Sequence, residues 1–290
     1  MKSLRRKITG HALSLVATVL LGGLLSATLV RMAPGFEVDE RELDPHLNAQ
    51  SVQALREAKR RDHNVVRFYV SYLHRAWHGD LGTSLALGQP VRTLLLERAP
   101  LTLRLLSTGL GLAWILSLTL ALSAAWLRLS IFDVVTTIVS GTFLCIPAAV
   151  LALLSVLWNV PGSLAIALIV FPRTYRYASN LLVKAYSRPH IIAARARGLG
   201  EARILFCHVV PVVTPQLLAV AGVSVSVAVG AAIPVEALCG LPGIGQLAWQ
   251  SALARDLPLL VNITILVTLV TLLANSGADV IGHMVRGQEA

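Results

Sequence analysis

The sequence predicts an all-α integral membrane protein with six transmembrane helices, an external amphipathic cap after the first helix, and a cytoplasmic loop between the fourth and the fifth. Three observations predict this fold class. Hydrophobic residues make up 55% of the 290 positions and charged residues only 14%, which is less charge than a soluble domain of this length carries. Apolar runs recur at lengths that cross the ~30 Å hydrocarbon core of a bilayer at ~1.5 Å per helical residue. The net charge of +10 is concentrated in two short blocks, residues 1–30 and 173–203, as expected for cytoplasmic segments of a membrane protein.

The first predicted span is the apolar stretch 8–30. Four lysine and arginine residues and no acidic residue occur in residues 1–30, which places the N-terminus in the cytoplasm by the positive-inside rule. A cleaved signal peptide is the alternative, disfavoured by the length of the apolar run and by the lack of an A-x-A site. Residues 1–30 are therefore assigned to the cytoplasmic N-terminus and the first transmembrane helix.

Residues 31–98 are soluble in composition, and we expect them to form a cap on the external membrane face. Apolar residues recur there at helical spacing in two short stretches, the second of which contains Tyr69, Tyr72 and Trp77. Aromatic side chains of this kind suit a membrane interface, where the ring is buried and the polar tip is wet. The rest of the chain, residues 99–290, is expected to form a five-helix core.

Five spans are expected in this core. Pro100 is placed in the first turn of the second span, and Pro147 at a kink within the third. The fourth span has an apolar run that ends at Phe171, so its helix must continue through Arg173 and Arg176, whose side chains we expect to reach the headgroups from near the helix end. The expected spans are 100–127, 131–160, 162–182, 208–235 and 257–281.

The loop between the fourth and fifth spans, residues 184–207, has a composition suited to docking against another protein. Its alanines allow close approach to a helix backbone, and Gly198 and Gly200 permit a break with positive φ. Its arginines can meet acidic groups of a partner; equally, Arg195 and Arg197 could bind the loop to anionic membrane lipid, and composition leaves both open. The candidate docking residues are Ala193, Ala194, Arg195, Arg197, Gly198 and Leu199.

This loop resembles the coupling-loop signature of ABC importer permeases, in which two alanines, a glycine and a later proline stand at fixed spacing. The matching residues are Ala193, Ala194, Gly198 and Pro211. The chain is more specifically similar to the first-permease type of the bacterial dipeptide and oligopeptide subgroup, which also includes nickel permeases. Ile192 stands where the general motif has Glu. The further stretches that carry the resemblance are Leu43–Pro45, Gly79–Ser84, Pro100–Leu103, Leu241–Gly245, Arg255–Pro258, Asn275 and Asp279.

The resemblance implies a type I ABC importer permease in a bacterial cytoplasmic (inner) membrane, with both termini in the cytoplasm. Its implied partners are a second homologous permease, two cytoplasmic ATP-binding subunits, an extracytoplasmic solute-binding protein and membrane lipid. No cofactor, metal or catalytic residue is expected on this chain, because ATP and Mg would be bound by the partner subunits. No nucleic acid is expected as a partner either, since aromatic residues are only 6% of the chain and the positive charge is confined to short segments.

The segment between the last two spans, residues 236–258, is too polar and too rich in glycine for a span and is expected outside the membrane. Its prolines and glycines fix a tight turn between two acidic residues. This loop could close an outer gate or meet the binding protein, or be a rigid interfacial loop. Glu236 could also be a carboxylate of the pathway, although its place at a predicted helix end favours ordinary solvation. The residues concerned are Glu236, Pro242, Gly243, Gly245 and Asp256.

The fifth span carries small residues at four-residue intervals on one face, at Gly222, Ser226 and Gly230. This spacing allows close helix approach, within the subunit or against the second permease. Contact of Ser224 and Ser226 with the transported solute is the alternative to packing.

Three other functions remain as rivals to a peptide permease. The same machinery could carry nickel or another small solute. An ion-gradient-driven secondary transporter usually has ionisable groups inside the membrane, whereas Asp133, Glu236 and Asp279 are expected near span ends. A membrane enzyme is disfavoured because neither H-E-x-x-H nor G-x-S-x-G occurs in the sequence. The nucleotide-binding signature G-x-x-x-x-G-K-[ST] is absent as well.

Overall fold

The computed structural model describes residues 18, 21–25, 28, 70, 73–76, 78–127 and 130–287. This part of the chain is helical, and the one β-type pairing within it is an isolated bridge between Thr83 and Pro90. Residues 21–25 and 73–76 are helical; the rest of the first predicted span and most of the predicted cap lie outside the described residues.

The helices from residue 91 onward are numbered in chain order. They are α1 (Val91–Leu127), α2 (Ser130–Cys145), α3 (Ala148–Leu157), α4 (Gly162–Tyr186), α5 (Pro189–Ala196), α6 (Glu201–Ile204), α7 (Val210–Leu238), α8 (Ile244–Leu253) and α9 (Leu257–Gly287). A single π-helical turn, Leu205–Val209, joins α6 to α7.

Helix α1 begins earlier than its apolar run. It starts at Val91, so Pro100 lies inside the helix, and its expected position in the first turn is wrong. The apolar run marked the part of the helix suited to lipid, whereas helix formation itself depends on backbone hydrogen bonds and extends through the charged residues before Pro100. At 37 residues and ~1.5 Å per residue, α1 is roughly 55 Å long and exceeds the hydrocarbon thickness.

The expected kink at Pro147 is a full break. Residues Val134–Cys145 and Ala148–Leu157 are bent by 97°. Pro147 is the N-cap of α3, with an extended backbone (φ −59°, ψ 143°), and a proline also disfavours the helical conformation of the residue before it. The stretch 131–160 is therefore two short helices that together have the length of one broken span.

Among the described residues, three helices have the length and apolarity of a membrane span: Val91–Trp126, Glu201–Leu238 and Leu257–Gly282. The bent pair α2–α3 would be a fourth if counted as one span. Helix α4 is continuous, as expected, but is not among them, because two arginines, a lysine and three tyrosines follow Pro172. It extends to Tyr186, so Arg173 lies at its middle and the expected position near a helix end is wrong. The count of six spans stays a prediction.

The chain divides into two compact units, one of residues 1–98 and 247–270, the other of residues 99–246 and 271–290. In the larger unit, α4 packs against α2, α3 and α7. Its core includes Ile166, Leu182 and Tyr175, all fully buried, and the Tyr175 hydroxyl lies 2.5 Å from the hydroxyl of Thr136. Close contact of α1 with α4 requires Gly109, because a Cβ there would lie 2.7 Å from Cβ of Ile166.

The smaller unit has a separate apolar cluster. Leu257 and Val261 are buried at the start of α9, and Leu24, Leu73, Ala76 and Ile265 pack against them.

Candidate functional site

The predicted docking residues lie on a short helix followed by a tight turn, which we call the coupling segment (residues 187–209). Helix α5 has a proline in its first turn and buries Ile191 and Ala194, while Ile192 and Ala193 on its other face are exposed. One face of this amphipathic helix is therefore fixed to the protein, and the other is free for a partner.

The turn after α5 depends on Gly198. The Gly198 N–H donates to the carbonyl of Arg195 and the Leu199 N–H to the carbonyl of Ala194, while Gly198 has φ +79°. Only glycine adopts this conformation without strain. Both Gly198 and Gly200 permit a break with positive φ, and the break falls at Gly198; Gly200 has φ −66° and precedes α6 as an ordinary extended residue.

An ion pair that the sequence analysis missed spans this turn. Nε of Arg195 lies 2.9 Å from Oε1 of Glu201, and its Nη2 donates to Oε2 of Glu201 at 3.5 Å. Both side chains are about 40% exposed, so the pair contributes at most about 1 kcal/mol. Its effect is to link α5 to α6. The sequence held a signal for this pair: Glu201 follows Arg195 by six residues, and an acid is favourable at a helix N-terminus.

The second candidate site is a cluster around Glu236 at the end of α7, and it corrects an expectation. Glu236 was expected to be solvated, yet its side chain is fully buried. Its Oε1 accepts a hydrogen bond from the Thr102 hydroxyl at 2.7 Å. Its Oε2 accepts from the N–H groups of Gly245 at 2.6 Å and Gln246 at 3.2 Å. The Thr102 oxygen accepts in turn from the Ile244 N–H at 2.8 Å.

These bonds cap the N-terminus of α8, a helix that the sequence analysis treated as loop. Its buried side chains Leu247, Ala248 and Ser251 stand at the spacing of one helical face. A helix N-terminus leaves backbone N–H groups without intrahelical partners, and here Glu236 of α7 and Thr102 of α1 provide the acceptors. We call Thr102, Glu236 and the N-terminus of α8 the carboxylate clasp.

The glycines of this loop are required by close approach. A Cβ on Gly243 would collide with the carboxylate of Glu236, and one on Gly245 would lie 2.7 Å from the carbonyl oxygen of Ala232. Pro242 is exposed at the tip of the loop. Three of the five residues singled out in this loop, Glu236, Gly243 and Gly245, therefore belong to one cluster.

Asp256 has different partners, all within the smaller unit. It is buried; its Oδ1 accepts from the Leu259 N–H at 3.2 Å, as an N-cap of α9 does. Its Oδ2 accepts from the hydroxyl of Ser84 at 2.5 Å and from the N–H of Ala86 at 3.1 Å. Asp256 thereby connects residues 84–86 to the start of α9.

The small residues of α7 divide into two kinds. A Cβ on Gly222 would lie 2.9 Å from Cβ of Ala278 and 3.0 Å from Cα of Asn275, so α9 packs closely there. The Asn275 side chain donates to the hydroxyl of Ser226 at 3.0 Å. Gly230 is exposed and a Cβ there would meet no atom within 4 Å.

Comparison with known proteins identifies the family. The family model of binding-protein-dependent transport system inner membrane components matches residues 117–286, which is more than half of the chain. The chain belongs to this family. The matched region contains the coupling segment, Glu236 and all of helix α9 except its last residue.

Curated relatives extend the similarity to nearly the whole chain. The oligopeptide transport system permease protein OppB of Escherichia coli is 28% identical over 284 residues, 90% of this chain and 91% of the relative. The oligopeptide transport system permease protein AppB of Bacillus subtilis is 26% identical over 294 residues, 91% and 92% of the two chains. A putative peptide transport system permease protein of Brucella suis is 25% identical over 277 residues, 84% and 85%.

The resemblance to ABC importer permeases seen in the sequence is thereby confirmed. This chain is a multi-pass component of the inner membrane that serves transport rather than catalysis.

Proposed function

We propose that this chain is one of two homologous permease subunits of an ATP-driven peptide importer, and that the two subunits together form the translocation pathway. Peptide is proposed as the cargo because the similar curated proteins are named as peptide or oligopeptide permeases. The structure of the coupling segment supports this mechanism. Its helix α5 is anchored on one side by Ile191 and is exposed on the other at Ile192 and Ala193.

In this proposal the exposed face of α5 docks into a groove of one of two cytoplasmic ATP-binding subunits, which bind ATP and Mg. Ile192, in place of the usual acid, makes the contact apolar. Because Ile191 and Ala194 are buried, α5 moves together with the helices against which it packs. Closure of the ATP-binding subunits would then shift the membrane helices between two access states.

The proposed topology has six spans with both termini in the cytoplasm. It places the basic coupling segment on the cytoplasmic side, in accord with the positive-inside rule. It places the loop 239–243 and the carboxylate clasp on the outer side, where a solute-binding protein delivers its cargo. We assign the clasp to the rigid frame of the outer gate and the exposed Pro242 tip to contact with the binding protein.

Reconstitution tests this function. The chain, its partner permease, the ATP-binding subunits and the binding protein are placed in liposomes with labelled tripeptide outside and ATP inside. Uptake that needs ATP and the binding protein supports the proposal. Uptake of Ni²⁺ but not of tripeptide would show that the cargo is nickel rather than peptide. Uptake that follows an imposed ion gradient without ATP would show that the chain is a secondary transporter.

A further inference from the structure

A cavity of about 200 Å³ lies between α4 and α7, within the larger unit. Four valines and Ala219 form the apolar part of its wall, and four residues with polar groups complete it. The polar residues are Arg173, Thr174, Tyr177 and Ser224. It is smaller than the roughly 300–1,000 Å³ of sites that enclose a whole drug-sized ligand, so it fits one end of an extended solute.

Arg173 is the charged residue among those that line this cavity. It is the twelfth of the 25 residues of α4, which puts it roughly 16 Å from the first residue of the helix and 20 Å from the last at ~1.5 Å per residue. Within the part of the chain that the structure describes, its guanidinium makes no ion pair or hydrogen bond with another group. Its side chain is exposed along the open side of the cavity, and a cation at membrane depth is costly unless it serves a function or meets an anion.

The hydrogen bonds that the other polar groups already make indicate whether the cavity suits an anionic or a cationic ligand. The Thr174 hydroxyl donates to the carbonyl of Val170 at 3.1 Å. The Ser224 hydroxyl donates to the carbonyl of Ala221 at 2.8 Å and accepts from the Trp114 indole at 2.9 Å. Both hydroxyl protons are therefore already used within the protein.

Two of the donors that line the cavity remain available. The Tyr177 hydroxyl, like the Arg173 guanidinium, has no hydrogen-bond partner in that part of the chain. The two residues are four apart on α4, and so lie on the same face of the helix. A site that offers a guanidinium and a phenol hydroxyl against valine walls matches a planar carboxylate attached to an apolar group.

We propose that this cavity binds the terminal carboxylate of the transported solute, with Arg173 as the cationic partner and Tyr177 as a second donor. The inference rests on the proposed peptide cargo, since a peptide carries such a carboxylate at its C-terminus. The valines Val170, Val220, Val223 and Val227 would contact the last side chain. Because the cavity holds only one end of a peptide, it suits solutes of different length and sequence.

The test compares two cargoes in reconstituted transporter: a tripeptide with a free C-terminal carboxylate and the same tripeptide as its C-terminal amide. Arg173→Gln removes the charge, and Arg176→Gln is the matched control, because Arg176 is, like Arg173, an exposed arginine of the same helix but does not line the cavity. The acid-to-amide uptake ratio of each variant is divided by that of the wild type. Any preference of the binding protein then cancels, since the same binding protein serves every reaction.

We expect Arg173→Gln to lower the acid-to-amide ratio by about tenfold, as loss of a charge-assisted hydrogen bond does. Arg176→Gln should keep the wild-type ratio, and Arg173→Lys should restore part of it. Co-purification of each variant with the partner permease checks that it is folded and assembled.

Other results overturn the inference. If Arg173→Gln leaves the ratio unchanged, or lowers uptake of acid and amide equally, then Arg173 does not recognise the cargo carboxylate and instead meets a lipid or a partner subunit, while the proposed peptide import stands. If the wild type imports neither peptide, the proposed cargo fails and the inference fails with it.

Discussion

Replacement of Glu236 by leucine tests whether the carboxylate clasp stabilises the fold. The change keeps a buried side chain of similar size and removes every hydrogen-bond acceptor from it. Three donors lose their partner: the Thr102 hydroxyl at 2.7 Å, the Gly245 N–H at 2.6 Å and the Gln246 N–H at 3.2 Å.

The magnitude follows from these three groups. A buried donor without a partner costs about 1–3 kcal/mol, so three cost about 3–9 kcal/mol before any relaxation. Leucine also avoids the several kcal/mol needed to bury a carboxylate, which offsets part of the loss. We expect a net decrease of about 1–5 kcal/mol in the free energy of unfolding, against the roughly 5–15 kcal/mol that stabilises a folded protein.

Glutamine at the same position is the matched variant. Its carbonyl oxygen can accept from the Gly245 and Gln246 N–H groups while its amide faces the oxygen of Thr102. Only the Thr102 proton then lacks an acceptor, so the cost falls to about 1–3 kcal/mol.

The assay is thermal unfolding of purified protein in detergent, followed by size-exclusion chromatography, together with peptide uptake in liposomes. The expected order of stability is wild type, then Glu236→Gln, then Glu236→Leu. A leucine variant as stable as the wild type would refute the structural role. A glutamine variant that is stable and assembled yet transports nothing would show that Glu236 acts in the pathway instead.

Three further changes have definite expected outcomes. Asp256→Ala removes the N-cap of α9 and leaves the Ser84 hydroxyl without its acceptor, so it should destabilise the chain by about 2–4 kcal/mol; detergent unfolding indistinguishable from wild type would contradict this. Gly222→Ala should cost about 1–3 kcal/mol because its methyl group must displace α9, whereas Gly230→Ala should be neutral or stabilising by up to about 1 kcal/mol because the site is open; equal unfolding temperatures for the pair would exclude the packing role of Gly222. Gly198→Ala should strain the coupling segment by about 1–2 kcal/mol through its φ alone, which limited proteolysis would detect as faster cleavage there; an unchanged cleavage rate would speak against it.

Local features of the site could be predicted from the sequence because they depend on neighbouring residues. The glycine turn at Gly198, and a disturbance of the helix at Pro147 though not its full break, follow from the conformations that these two residue types allow. The continuity of α4 through Arg173 followed from the length that a span requires.

The features that could not be predicted depend on contacts far apart in the sequence. Glu236 stands at a helix end, where an acid is normally solvated, and only its contact with Thr102, 134 positions away, makes burial favourable. Asp256 likewise meets Ser84 from 172 positions away. The environment of Arg173 required knowing that α7 lies beside α4, which no pattern within either helix specifies.

The coupling contact is tested most directly by detergent co-purification of the chain with its ATP-binding subunits. Ala193→Arg adds a large charged side chain to the exposed face of α5. Ala252→Arg is the control, because Ala252 is also an exposed alanine of a short helix and one span separates it from the coupling segment in the proposed topology.

We expect wild type and Ala252→Arg to retain the ATP-binding subunits, while Ala193→Arg loses them yet keeps the partner permease. If Ala193→Arg retains the ATP-binding subunits and transports normally, α5 is not the coupling contact and the proposed mechanism is wrong.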